Sequence, residues 1–174
     1  MADTGFKVTG AVVYDGGWTN LTTTRLNTAD NSRTTVTGNT FVIATLNNYS
    51  FGIPSGATID GIEVNTEFST DFSSATATLQ LSLSWNNGTN YTATKSDTVT
   101  GSTTDKNSTL GGATDTWGRS WTDSEFANGT FLVKVEGKSD TPFNLCRLDF
   151  LQIKVYYTVA ETGATGAYYM FFEG

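Results

Sequence analysis

The sequence predicts an all-β fold, an antiparallel β-sandwich of jelly-roll-like type, and three observations predict it. Threonine is the commonest residue, 33 of 174, and its branched Cβ suits a pleated sheet. Six separate stretches read as strands, and in five of them apolar residues recur with period two, the mark of strands with one buried face. Turn residues separate those stretches at short intervals.

Each stretch has its own pattern. Phe6, Val8, Val12 and Tyr14 share one face of a first strand. Phe41-Val42-Ile43-Ala44-Thr45-Leu46 is apolar on both faces and reads as a central strand. Ile62, Val64 and Phe68 alternate with Glu63, Asn65 and Glu67. Leu79, Leu81, Leu83 and Trp85 alternate with Thr78, Gln80, Ser82 and Ser84, and Phe131, Val133 and Val135 alternate with Leu132, Lys134 and Glu136. The last stretch is the longest: Leu151, Ile153, Val155 and Tyr157 form one face, while Leu148 and Phe150 have the opposite parity. A change of phase near Phe150 predicts a β-bulge or a strand covered on both sides.

Turns fall at Asp15-Gly16-Gly17, Pro54-Ser55-Gly56, Gly111-Gly112 and Asn128-Gly129. Asn87-Gly88 predicts a type I′ turn, which needs two successive positive φ angles. Thr122-Asp123-Ser124-Glu125 has the capping-box pattern and predicts one helical turn; no other helix is expected. The polar stretch from Asp97 to Asp115 reads as a long loop.

Composition narrows function. Net charge is −7, and the ten basic residues are scattered. An acidic chain repels phosphate backbones, so neither nucleic acid nor a membrane surface is expected as a partner. The single cysteine, Cys146, lies in an apolar strand and reads as a small buried hydrophobe. Residues 1–5 begin no basic-then-apolar signal pattern, so synthesis in a cytoplasm is expected.

Catalytic chemistry is hard to assemble from these residues. There is no histidine, which removes the commonest general base, the serine triad and most zinc sites. Glu63 and Glu67 share a strand face but stand about 13 Å apart along it, beyond the roughly 5–9.5 Å of glycosidase carboxylate pairs. Asp115, Asp123 and Glu125 lack the spacing of an EF-hand calcium loop. The expectation is a protein that is not an enzyme and carries no cofactor and no metal.

Two aromatic groups remain as binding candidates. Trp117-Gly118-Arg119-Ser120-Trp121 reads either as an exposed platform on which sugars stack, with Arg119 between the rings, or as rings packed under the sandwich edge and capped by Arg119. The second candidate is Tyr168-Tyr169-Met170-Phe171-Phe172. Its four aromatics would present about 600–1,000 Å² if each exposes 150–250 Å², more than the roughly 300–600 Å² of the largest patch on a typical monomer. The sequence therefore divides into a sandwich domain, 1–159, and a C-terminal arm, 160–174, that docks on a partner or an oligomer.

Three further segments carry a family resemblance: Phe51-Gly52-Ile53-Pro54-Ser55-Gly56-Ala57-Thr58-Ile59-Asp60-Gly61-Ile62-Glu63-Val64, Leu110-Gly111-Gly112-Ala113-Thr114-Asp115-Thr116-Trp117-Gly118, and Leu148-Asp149-Phe150-Leu151-Gln152-Ile153-Lys154-Val155-Tyr156-Tyr157. In that order they resemble β-sandwich domains of tailed-phage virion proteins and some bacterial surface proteins, over residues 12–158. The resemblance implies a capsid decoration protein or a head or tail fibre component. Its expected partners are other virion proteins, its expected state a homo-oligomer, and its expected location the virion. The alternative is a glycan- or receptor-binding module using Trp117, Arg119 and Trp121.

Overall fold

Two antiparallel sheets enclose one apolar core in a computed structural model, which describes residues 1–160. The strands are β1 (Ala2–Asp3), β2 (Lys7–Val8), β3 (Ala11–Asp15), β4 (Thr34–Thr37), β5 (Val42–Asn47), β6 (Thr58–Thr70), β7 (Thr76–Ser84), β8 (Lys95–Thr100), β9 (Lys106–Gly112), β10 (Leu132–Ser139) and β11 (Leu145–Thr158). The first sheet has the order β1-β11-β6-β9, with β2 and β4 also paired to β11. The second has the order β3-β5-β10-β7-β8. The chain repeatedly crosses from one sheet to the other, as in a jelly roll.

Alternation decides which side chains fill the core. Ile62, Val64 and Phe68 of β6 are fully buried, as are Leu81 and Leu83 of β7, Val133 of β10, and Leu151, Ile153 and Val155 of β11. The residues between them lie on the other face of each sheet, where Ser82, Ser84 and Leu132 are nevertheless buried. One end of the core is aromatic: Tyr49, Phe51, Phe126 and Phe131 pack with centroids 5.1–6.0 Å apart, in stacked and edge-to-face pairs. Such pairs add about 0.5–1.5 kcal/mol each beyond their buried area. Cys146 is free and buried, and burial raises its thiol pKa to about 12. Among the described residues, no helix is long and apolar enough to cross a membrane.

The bulge expected near Phe150 is present. The β6–β11 ladder pairs Leu148 with Phe68 and then Phe150 with Glu67, so Asp149 is the extra residue. It restores parity, leaving Leu148 and Leu151 both inside and Phe150 on the outer face. At Asn87-Gly88 the φ angles are 54° and 82°, and the Thr89 N–H donates to the Asn86 carbonyl, which fits a type I′ turn. The turn at Asp123–Phe126 is a 3-10 helix, with the Glu125 carboxylate accepting from the Thr122 N–H at 2.8 Å.

Three expectations need correction. The first stretch is not one strand: it leaves one sheet after Val8 and joins the other at Ala11. The crossing passes through Gly10, where a Cβ would lie 2.6 Å from the Asn48 carbonyl oxygen. The polar stretch 97–115 is not a loop, since it holds most of β8 and all of β9, one edge strand in each sheet. A second helical turn, α1 (Thr23–Leu26), exists; the Thr22 hydroxyl accepts from the Arg25 N–H and Leu26 is its buried anchor. The arm beyond Ala160, with Tyr168, Tyr169, Met170, Phe171 and Phe172, lies outside the described residues.

Candidate functional site

The two readings of Trp117, Arg119 and Trp121 are separated by their burial. Trp117 is 3% exposed and Trp121 is 7% exposed. The Trp117 indole N–H donates to the Ile62 carbonyl at 3.0 Å, and that of Trp121 donates to the Thr116 carbonyl at 2.7 Å. Neither ring offers a face to a sugar. The Arg119 guanidinium lies 4.1 Å from the Trp85 ring centroid and 4.3 Å from that of Trp121. It also forms a two-bond ion pair with Glu125. The geometry is that of packing beneath the sheet edge, with Arg119 as the cap.

The acidic candidates are likewise committed. Asp115 pairs with Lys95 at 2.8 Å and accepts from the Trp117 N–H. Asp123 accepts from the Gly56 N–H, and Glu125 holds Arg119. No cluster of three metal-ligating side chains occurs among the described residues. The Glu63 carboxylate accepts from the Tyr156 hydroxyl at 2.6 Å.

A different arrangement occupies the outer face of the first sheet. Register brings Phe150, Glu67 and Asn107 side by side across β11, β6 and β9. The next row, two residues along, is Gln152, Asn65 and Thr109. At the usual strand spacing the rows are about 10 Å wide and about 7 Å apart. They line a hollow of about 150 Å³.

The rows stand out by what their polar groups do not do. Among the described residues, none of the side chains of Asn65, Glu67, Asn107, Thr109 and Gln152 has a hydrogen-bond partner, and the Asn65 Oδ1 is buried without one. A buried acceptor without a donor costs about 1–3 kcal/mol. Several neighbouring groups are bonded, although Thr66 Oγ1 and Arg147 Nε, like Asn65 Oδ1, are buried without a partner. On one side Lys154 sits 4.0 Å from the Phe6 ring centroid, beside the Tyr156–Glu63 pair. On the other, Arg33 binds Asp105 through two nitrogens at 2.6 and 2.9 Å. Arg147 donates to the carbonyls of Thr70 and Thr103. Burial pushes the Glu67 carboxyl above its usual range, and repulsion from Asp149 and Asp105 adds to this. Asp149, at the bulge, is 1% exposed; one oxygen accepts from the Asn31 N–H and the other has no partner.

A second hollow, of about 270 Å³, lies between Phe51, Ile53, Ser55 and the 3-10 turn. Its floor is the edge-to-face pair Phe51–Phe126, which belongs to the core, and its carboxylate, Asp123, is already bonded.

Sequence reasoning placed Asn65 and Glu67 on a polar face but missed the site. Asn107 and Thr109 fell in a presumed loop, and Phe150 showed only as a break in parity.

No family model matches the sequence, and no curated protein matches it. Two solved structures are similar in fold. One is TmCBM61 in complex with β-1,4-galactotriose, at 13% identity over 70% of this chain and 68% of that one, with a TM-score of 0.39. The other is the Clostridium thermocellum xylanase 10B CBM22-1–GH10 modules complexed with xylohexaose, at 15% identity over 91% of this chain and 27% of that one, with a TM-score of 0.37. Identities and TM-scores are low, and the sugars in those structures are properties of those proteins. What the chain itself establishes is an antiparallel β-sandwich.

Proposed function

We propose that this domain is a non-catalytic glycan-binding module whose ligand lies on the outer face of the first sheet, over the rows Phe150-Glu67-Asn107 and Gln152-Asn65-Thr109. The observation that carries the reading is the set of five polar side chains without partners, one with a buried acceptor oxygen, gathered beside an aromatic ring. A sugar ring supplies what this surface lacks: hydroxyls that donate and accept around its rim and an apolar face for Phe150. The hollow is smaller than the roughly 300–1,000 Å³ of pockets for drug-sized ligands, which suits one ring. The site thus differs from the tryptophan platform that is one of the two readings of Trp117, Arg119 and Trp121.

Calorimetric titration with a panel of neutral oligosaccharides tests the proposal. Binding should fall about tenfold or more in Asn65→Ala and in Phe150→Ala, a loss of roughly 1.4 kcal/mol or more, without release of shorter products. Binding indifferent to both substitutions, or absent for every sugar, would overturn it.

A second reading keeps the sandwich as a virion protein that docks through its arm. Its support is the aromatic sequence Tyr168–Phe172 together with the family resemblance. Removing residues 167–174 should then abolish oligomer or particle assembly while the melting temperature holds.

A further inference from the structure

Resting on the glycan reading of this surface, we propose that Glu67 makes the site selective for uncharged, hydroxyl-bearing sugars and excludes uronates. Glu67 stands in the middle of its row, between Phe150 and Asn107, and its carboxylate has no cation or hydrogen-bond partner among the described residues. The nearby cations are engaged elsewhere, and none pairs with Glu67 among the described residues. Arg33 is held by Asp105, Arg147 by two backbone carbonyls, Lys106 by Asp97 at 2.7 Å, and Lys154 by the Phe6 ring.

The neighbouring acceptor points the same way. Asn65 Oδ1 is buried and needs a donor. A sugar hydroxyl donates to it and to Glu67. An ionised uronate group accepts only. Placed over the rows in exchange for a donating hydroxyl, it would deny Asn65 Oδ1 that donor and set a negative charge against Glu67, with Asp149 and Asp105 nearby; the remaining hydroxyls of a uronate still donate, so the charge carries the selectivity. Like charges brought together at a binding surface repel and disfavour that partner. Specificity then comes from a repulsive element as much as from attraction.

The experiment compares affinities of neutral hexose and pentose oligosaccharides with those of their uronate counterparts at pH 7. It uses the full chain, Glu67→Gln, and Asp60→Asn as a control for net charge, Asp60 being bonded to the Thr158 hydroxyl elsewhere on the sheet. Wild type and the control should prefer the neutral sugar by about tenfold or more, and Glu67→Gln should bring that ratio to within roughly threefold by raising uronate binding. Wild type binding uronates as tightly as neutral sugars, or a ratio unchanged in Glu67→Gln, would overturn the selectivity while leaving glycan binding intact. Binding of no sugar at all would overturn both.

Discussion

Phe150 stands opposite Glu67 in the β6–β11 ladder, one residue out of the register that pairs Leu148 with Phe68. The slip is the work of Asp149. Were Asp149 to take the place opposite Glu67, Phe150 would turn inward and the outer face would lose the ring over the hollow. Deleting Asp149 joins Phe150 directly to Leu148 and leaves it opposite Glu67 in a regular ladder, so sugar binding should persist within a few fold in calorimetric titration. Lost binding would mean that the bulge itself, and not only an outward Phe150, shapes the site.

Arg119 is the cap on a tryptophan pair, and its planar group suits two ring faces and one carboxylate at once. Arg119→Lys keeps the charge but loses the stacking and the two-bond geometry. It should destabilise the domain by about 1–2 kcal/mol and shift tryptophan fluorescence, with sugar affinity unchanged. A fall in affinity at unchanged stability would return the tryptophan cluster to candidacy.

Leu81 is fully buried at the middle of the second sheet. Leu81→Ala should cost about 2–5 kcal/mol by denaturant titration. A cost below about 1 kcal/mol would contradict the sandwich core described above.

Gly111 has a φ of +82°, and a Cβ there would lie 2.1 Å from the Ile62 carbonyl oxygen and 2.7 Å from the Trp117 indole nitrogen. Gly111→Ala should break the bond between those two groups and destabilise by more than the roughly 1 kcal/mol of conformational strain alone. Thermal melting of the variant measures it.

Acid should act on two sets of carboxylates with opposite sign. Burial disfavours the charges of Asp97, Asp115 and Glu125, yet bonds from Lys106, Lys95 and Arg119 outweigh it and hold all three below their usual range. The unfolded chain then binds more protons, so this stabilisation is present above the ordinary carboxylate range and lost as pH falls through the folded values. Glu67 and Asp149 are raised, chiefly by burial. Their favourable contribution exists below the ordinary value and is lost as pH rises through the raised one. Asp115→Asn should lower the melting temperature at pH 7, with the difference closing only as pH falls below the ordinary carboxylate range. Glu67→Gln should raise it at pH 7, with the difference closing near pH 4. Parallel melting curves across this range would refute both.

The central strands were legible because their apolar residues alternate: β6, β7, β10 and β11 each repeat a buried side chain every second position. Edge strands hid. In β8 only Val99 is a buried hydrophobe, and in β9 only Leu110 packs against the core, so Thr, Ser and Asn make both look like loops. The site was lost with them, because a cross-strand row cannot be seen when one of its strands is missing. The tryptophans kept two readings for another reason: Trp117 and Trp121 lie in irregular chain, where no periodicity tells the inside from the outside, and their burial agrees with the packed reading.

β11 pairs with β1, β2, β4 and β6, so residues 145–158 are the partner of almost everything in the first sheet. During synthesis the earliest segments have nothing to bind until this one emerges. At roughly 5–20 residues per second, Lys7 and Val8 wait on the order of ten seconds for Ile153 and Gln152, their register partners. Folding of this sheet therefore follows the emergence of residues 145–158. A nascent chain arrested before residue 145 should remain sensitive to protease along β6, and one arrested far enough beyond 158 to clear the ribosome should not.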